Sequence, residues 1–257
     1  MAAEPPADRG EYVARLSNCV ACHSVPNAPA FSGGLKMATP LGAIYTTNIT
    51  PDADTGIGKW TDAQLAKAIR EGVRPDGTII GPPMPVEFLR ALSDEDLASI
   101  IVWLRSQKPV KKVVAKSQYK IPLPPSYGPP VANVATPPKS DQLKYGAYLV
   151  SVGHCLECHT PQVKGRLDMT KAGAGGRTFE GPFGQSLSRN ITPEATTGLG
   201  NWTDAEIERA VRTGVAKDGS HLKPPMAFAN YAKVNAEDMR AILAYLKTLK
   251  PLPFGGQ

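Results

Sequence analysis

The sequence predicts an all-α protein built from two tandem domains, on three observations. The chain repeats itself once along its length. Apolar residues recur at helical spacing behind capping residues. No alternating strand pattern of useful length occurs. The 257 residues are 42% hydrophobic and 20% charged, which excludes a disordered tail or a coiled coil. No apolar run is long enough to span a membrane.

The repeat sets the domain boundaries. Glu11-Tyr12-Val13-Ala14-Arg15-Leu16 matches Ala147-Tyr148-Leu149-Val150-Ser151-Val152. Further on, Asn48-Ile49-Thr50-Pro51 matches Asn190-Ile191-Thr192-Pro193, and Trp60-Thr61-Asp62 matches Trp202-Thr203-Asp204. Pro82-Pro83-Met84 matches Pro224-Pro225-Met226, and Lys108-Pro109 matches Lys250-Pro251. Six extra residues in the second copy fall in its Gly-rich stretch 164–184. The domains are therefore 1–108 and 141–257, joined by 109–140. That joint has eight prolines, five lysines and no acid, so it is expected to be an extended, semi-rigid surface linker that fixes the spacing of the domains.

Each domain reads as three principal helices. Residues 8–18 and 142–153 form the first in each. Thr61 with Gln64, and Thr203 with Glu206, are capping boxes opening helices that stop at Gly72 and Gly214. The last helices start near Ser93 and Asn235 and stop before Pro109 and Pro251.

The net charge of +6 sits mostly on Lys111, Lys112, Lys116, Lys120 and Lys139 of the linker. No basic stripe with interleaved aromatics occurs, so no nucleic-acid partner is expected. The opening Met1-Ala2-Ala3-Glu4-Pro5-Pro6 lacks the apolar stretch of a signal peptide.

All four cysteines lie in two motifs, Cys19-Val20-Ala21-Cys22-His23 and Cys155-Leu156-Glu157-Cys158-His159. C-x-x-C-H is the attachment signature of haem c. Two thiols one helical turn apart form thioethers to one porphyrin edge, and the adjacent His supplies the proximal imidazole. Two covalently bound haem c groups are expected. A thioredoxin-like pair needs neither the trailing His nor a second copy, and a shared zinc site usually brings its ligand pairs closer in sequence.

The second axial ligand separates a relay from a catalyst. Met84 and Met226 are the methionines that correspond between the repeats, each in Pro-Pro-Met; packing is their other reading, and Met37 and Met169 are rival thioethers. His154 aligns with Asn18 and His221 with Ile79, so both read as surface residues, with His221 a rival ligand in the second domain. His/Met ligation closes the iron and raises its potential. No thiolate ligand is available, since every Cys is used by thioethers. Trp60 and Trp202 suit haem packing or core filling equally. Arg70 and Arg212 suit propionate pairing or solvated helix faces equally. Asn48 and Asn190 are candidate propionate contacts.

In the order C-x-x-C-H, N-I-T-P-D-x-x-T-G-I-G-x-W-T, R-x-G-V-x-x-D-G and P-x-M-P, the chain resembles the multihaem cytochrome c subunits of membrane-bound alcohol, aldehyde and gluconate dehydrogenases. The resemblance covers both domains and implies tandem class I-like cytochrome c folds. It implies iron ligation by His23 with Met84 and by His159 with Met226. It also implies a periplasmic location after signal removal, and passage of electrons from a dehydrogenase donor to a quinone-side acceptor, another cytochrome or a terminal oxidase. Those subunits commonly hold three haems and a C-terminal membrane-associating helix; this chain has two haem motifs, which fits a two-haem shuttle or a shortened subunit. The expected function is electron transfer without substrate chemistry. The rivals are a two-haem peroxidase or sulfur-compound oxidase with one open iron, and a sensing module with a five-coordinate haem.

Overall fold

The computed structural model describes residues 6–37 and 39–256; the opening residues 1–5, on which the signal-peptide expectation falls, and Gln257 lie outside the described residues. The chain divides into two compact units, the first running to Thr136 and the second starting at Pro137.

The first unit comprises α1 (Pro6–Leu16), α2 (Cys19–His23), β1 (Lys36–Met37), β2 (Gly42–Tyr45), α3 (Asp62–Glu71), α4 (Val86–Leu89), α5 (Asp94–Arg105) and β3 (Gln118–Tyr119). Its frame is α1 packed across α5. Gly10 makes the crossing possible, because a Cβ there would lie 2.0 Å from the Ser99 carbonyl oxygen. Val13, Ala14 and Leu16 of α1 and Leu97, Ile100, Ile101 and Leu104 of α5 are buried. Thr61 closes its capping box with Gln64, and Gly72 ends α3 in the left-handed region. Ser93 caps α5 by accepting from the Asp96 amide, a contact that stabilises such a helix by ~1 kcal/mol.

The second unit repeats this plan with α6 (Gln142–Val152), α7 (Cys155–Cys158), β4 (Gln162–Val163), β5 (Arg166–Leu167), β6 (Thr178–Gly181), β7 (Gly184–Leu187), α8 (Asp204–Thr213), α9 (Phe228–Tyr231) and α10 (Ala236–Leu246). Here α6 crosses α10 at Gly146, whose Cβ would lie 2.0 Å from the Ala241 carbonyl oxygen. The Thr203–Glu206 capping box and the left-handed Gly214 frame α8.

The all-α expectation is wrong. The chain is 34% helical and 10% strand. In the first unit β1, β2 and β3 form an antiparallel sheet, and β4–β5 and β6–β7 are hairpins in the second. These strands are two to four residues long, too short for a period-two pattern to stand out. Their pairing is carried by backbone groups, which side-chain sequence does not report.

The proline-rich joint also differs from the expected spacer, for its residues as far as Thr136 pack on the first unit. β3 pairs with β2. Ser117 Oγ accepts from the Tyr45 amide and donates to its carbonyl. Tyr127 Oη donates to the Ile80 carbonyl, and the Val131 amide donates to Glu71. Prolines keep the segment extended, and the amides between them find partners on the unit beneath.

Candidate functional site

Each C-x-x-C-H motif forms a short helix that follows a residue in the left-handed region, Asn18 at φ 57° and His154 at φ 41°. Asparagine tolerates that conformation. No disulfide joins the four cysteines. Burial, the largest effect, pushes the Cys19 thiol up to about 12 and the Cys155 thiol to about 11. A redox-active pair needs the opposite shift, toward thiolate, so the thioredoxin-like alternative lacks its electrostatic support. Among the described residues no group of three or more His, Cys, Asp or Glu side chains is arranged to hold a metal ion.

The motif histidines have matching settings. His23 Nδ1 lies 2.8 Å from the Thr47 carbonyl oxygen and His159 Nδ1 lies 2.7 Å from that of Arg189. A carbonyl only accepts, so Nδ1 carries the proton and Nε2 keeps its lone pair for an electrophile. Burial, the larger effect, holds both imidazoles below their ordinary value, while the carbonyl bonds oppose it. A neutral, oriented imidazole is what an iron ligand requires. The motif carbonyls are engaged too: His23 O accepts from the Gly33 amide and His159 O from Gly175. The residues present thus fit a haem c in each unit.

Sequence reasoning did not single out Thr47, Gly33 or Gly175, and it read Arg189 as a candidate propionate partner through its side chain, not as the carbonyl that holds His159. Their signal was positional, since Gly33 pairs with Gly175 and Thr47 with Arg189 under the repeat.

The methionine loops are built by one scheme. An isolated bridge joins Val73 to Ile79, and Val215 to His221 in the second unit. The Ile80 amide donates to Gly72 O and the Leu222 amide to Gly214 O, each at 2.7 Å. Cis peptides follow at Pro82-Pro83 and Pro224-Pro225. Met84 and Met226 are half-buried, and their carbonyls accept from Val86 and Phe228. Met169 is exposed.

The weaker candidates have the following partners. Asn48 is buried, and its Nδ2 donates to Val110 O at 2.8 Å and Thr55 Oγ1 at 3.1 Å. Its Oδ1 accepts from the Thr50 amide and hydroxyl. Asn190 does the same with Leu252, Thr197 and Thr192. These amides have no capacity left for a propionate; they tie the Asn-Ile-Thr-Pro loops to the chain beyond the last helix. Arg70 Nη1 contacts Asp94 at 2.5 Å. Arg212 binds Glu208 and the Val234 and Ala232 carbonyls at the end of α9. Arg212 is thus engaged with protein, whereas Arg70 Nε and Nη2 are buried without a hydrogen-bond partner, which leaves Arg70 able to donate to a propionate. Trp60 and Trp202 are half-buried. Trp202 lines a groove of about 360 Å³ with Pro193, Leu199, Gly200, Ile207, Leu246 and Lys247, none of them a C-x-x-C-H residue.

His154 is not the surface residue expected; its side chain is 12% exposed and its Nδ1 lies 3.0 Å from Glu157. His221 is exposed.

Comparison with known proteins follows the same division. A cytochrome c family model matches residues 7–108 and 143–250. The chain is 33% identical over 273 residues to the cytochrome c subunit of a quinone alcohol dehydrogenase of Gluconobacter oxydans, covering 96% of this chain and 55% of that one. It is 33% identical to a gluconate 2-dehydrogenase cytochrome c subunit of Pantoea cypripedii, covering 94% and 59%. It is 30% identical to a diheme cytochrome c-type protein of Cereibacter sphaeroides, covering 94% and 85%. The chain thus spans little more than half the length of the two dehydrogenase subunits. With the family matched on both repeats and the cysteines in two C-x-x-C-H pairs, the cofactor is covalently bound haem c. Among the described residues no helix is long and apolar enough to cross a membrane.

Proposed function

The chain belongs to the cytochrome c family, and from that premise we propose that it is a two-haem electron relay, one haem per unit. Cys19 and Cys22 hold the first group as thioethers and Cys155 and Cys158 the second. His23 with Met84, and His159 with Met226, would hold the two irons. The observation that carries this reading is the paired Nδ1–carbonyl bond of His23 and His159. It presents Nε2 of each ring in a fixed direction and raises its donor strength. When bound, haem supplies a one-electron iron couple.

The protein's own residues set the terms of that couple. Ligation by methionine together with histidine would favour the reduced state and raise the potential. Met84 and Met226 follow rigid proline pairs, so little side-chain and loop entropy is lost in holding them. Closed irons suit electron transfer and leave no position for a substrate. Support for Met226 over His221 comes from the exposure of His221 and the bridging of its backbone to Val215.

The relatives' names extend to this chain as a donor and a route. A dehydrogenase supplies electrons, and a quinone-side acceptor, another cytochrome or a terminal oxidase receives them. Thioether attachment belongs to the periplasm, which is the location we assign. Docking with such partners is small in area and partly electrostatic.

A carbon monoxide difference spectrum of the dithionite-reduced protein at neutral pH tests the reading. We expect no change, because both irons carry a thioether. A stoichiometric shift on one haem overturns the closed relay and favours a peroxidase-type enzyme, to be checked by peroxide turnover.

A further inference from the structure

We propose that residues 117–127 are a latch for the first methionine loop, and that the second loop, lacking one among the described residues, releases its thioether more readily. The inference rests on the assignment of Met84 and Met226 as ligands.

The loops leading to the two methionines share their internal hydrogen bonds, so their own backbones do not distinguish them. What lies on top of them does. In the first unit Tyr127 Oη donates to the Ile80 carbonyl at 2.9 Å, and the Tyr127 ring lies against Gly72, where a Cβ would meet it at 2.8 Å. Tyr119 and Leu123 press on Gly81, where a Cβ would lie 2.6 Å from the Tyr119 ring and 2.5 Å from Leu123 Cδ2. Three side chains of one segment thus hold Gly72, Ile80 and Gly81, the last only three residues before Met84. β3 anchors that segment on β2, and Ser117 bonds both backbone groups of Tyr45.

In the second unit the residue at the place of Gly81 is Lys223. Its ammonium donates to the Gln185 carbonyl at 3.3 Å, and the Phe228 ring takes the position over Gly214. Phe228 belongs to the same chain stretch as Met226, so it moves with that loop. Lys223, Pro224 and Pro225 are all exposed, whereas Gly81 is buried and Pro82 and Pro83 are half-buried. To leave the iron, Met84 must break or strain contacts with three side chains of a separately anchored segment, whereas among the described residues the comparable tether on the Met226 loop is the single exposed Lys223 hydrogen bond to Gln185.

Imidazole displaces a thioether from ferric haem, and the weak near-infrared sulfur-to-iron charge-transfer band reports each bound Met. Titrating the two-haem ferric protein with imidazole should remove that band in two steps of equal amplitude, and Met226→Ala should abolish the step at lower concentration. Tyr127→Phe keeps the ring and loses the hydrogen bond, so the later step should move about three- to tenfold toward the earlier one, the worth of one net hydrogen bond. Tyr127→Ala with Leu123→Ala should bring the two steps together. A single step in the parent protein, a first step abolished by Met84→Ala, or steps that do not move in Tyr127→Phe would overturn the latch while leaving Met ligation intact. Absence of the band from the resting ferric protein would overturn the ligation assignment and the latch with it.

Discussion

Asp96 and Asp238 hold the same place near the start of α5 and α10, both are buried, and each is satisfied by a different neighbour. In the first unit Arg9 clasps the carboxylate with two bonds, Nε at 2.7 Å and Nη2 at 2.9 Å. In the second the residue at Arg9's place is Tyr145, whose hydroxyl donates to Asp238 at 3.1 Å, with Lys139 Nζ 3.9 Å away. One unit thus holds a buried ion pair joining its first and last helices. The other holds a hydrogen bond with a more distant cation. A buried acid at a helix start tolerates either solution, because what matters is that it is not left alone.

The comparison breaks most sharply at this pair. Arg9→Leu removes the guanidinium from a buried carboxylate and should destabilise the first unit by about 3–5 kcal/mol. Tyr145→Phe removes one hydrogen bond to a charged group and should cost the second unit about 1.5–3 kcal/mol. Urea unfolding of the two-haem protein, followed by hydrogen exchange in α1 and α6, separates the effects. Equal losses would mean that the Tyr145 hydroxyl carries nearly all of the burden at Asp238 and Lys139 almost none.

A second contrast lies at Phe31 and Gly173, which match under the repeat. The backbone is left-handed at both, φ 62° and φ 85°, and both carbonyls accept from the next loop, at Ile49 and Ile191. Glycine is the unstrained choice. The first unit has phenylalanine there, buried edge-to-face on Trp103 with centroids 5.1 Å apart. The ring contact outweighs the strain. Phe31→Gly should therefore destabilise by about 2 kcal/mol, since a lost core ring costs ~3–5 and the relieved conformation returns ~1–2. Gly173→Ala should cost the second unit about 1–2 kcal/mol from the left-handed backbone, with Leu249 and Thr192 methyls 3.1 Å from the new Cβ. Thermal melts of both variants measure the pair, and a stabilised Phe31→Gly would show that the Trp103 contact had been overvalued.

What the sequence made legible was local chemistry. The capping boxes at Thr61 and Thr203 and the helix stops at Gly72 and Gly214 act within one turn, so residue type and spacing report them directly. The C-x-x-C-H motifs are equally local. The illegible part depends on partners distant in sequence. Asn48 reads as a free polar group until Val110 is placed against it, and the joint reads as a spacer until Ser117 meets Tyr45. His154 reads as a surface residue until its neighbours bury it beside Glu157. The strands of the first unit escaped notice because β3 is two residues in a proline-rich run.

The smallest contrast concerns the loops after Asn-Ile-Thr-Pro, folded around Asp52 in one unit and Glu194 in the other. Asp52 Oδ1 accepts from the Asp54 and Thr55 amides and the Thr55 hydroxyl. Glu194 divides the same task between its two oxygens, toward Thr196 and Thr197. The Thr197 and Thr196 amides hold the Glu194 carboxyl down to about 2, and the Thr55 hydroxyl and amide lower Asp52 as well. Both folded values lie below the unfolded ones, so each carboxylate contributes stability that is present above its unfolded pKa and lost as pH falls through its folded pKa. For Glu194 that window runs from about pH 4.5 down to about 2. Glu194→Gln should flatten the acid dependence of the second unit's unfolding midpoint across this window and leave that of the first unit unchanged. Urea midpoints at a series of pH values, read from amides in α3 and α8, check it. An unchanged slope in α8 would mean that the Thr197 bonds form equally well to a neutral side chain, so the charge of Glu194 contributes nothing to the fold.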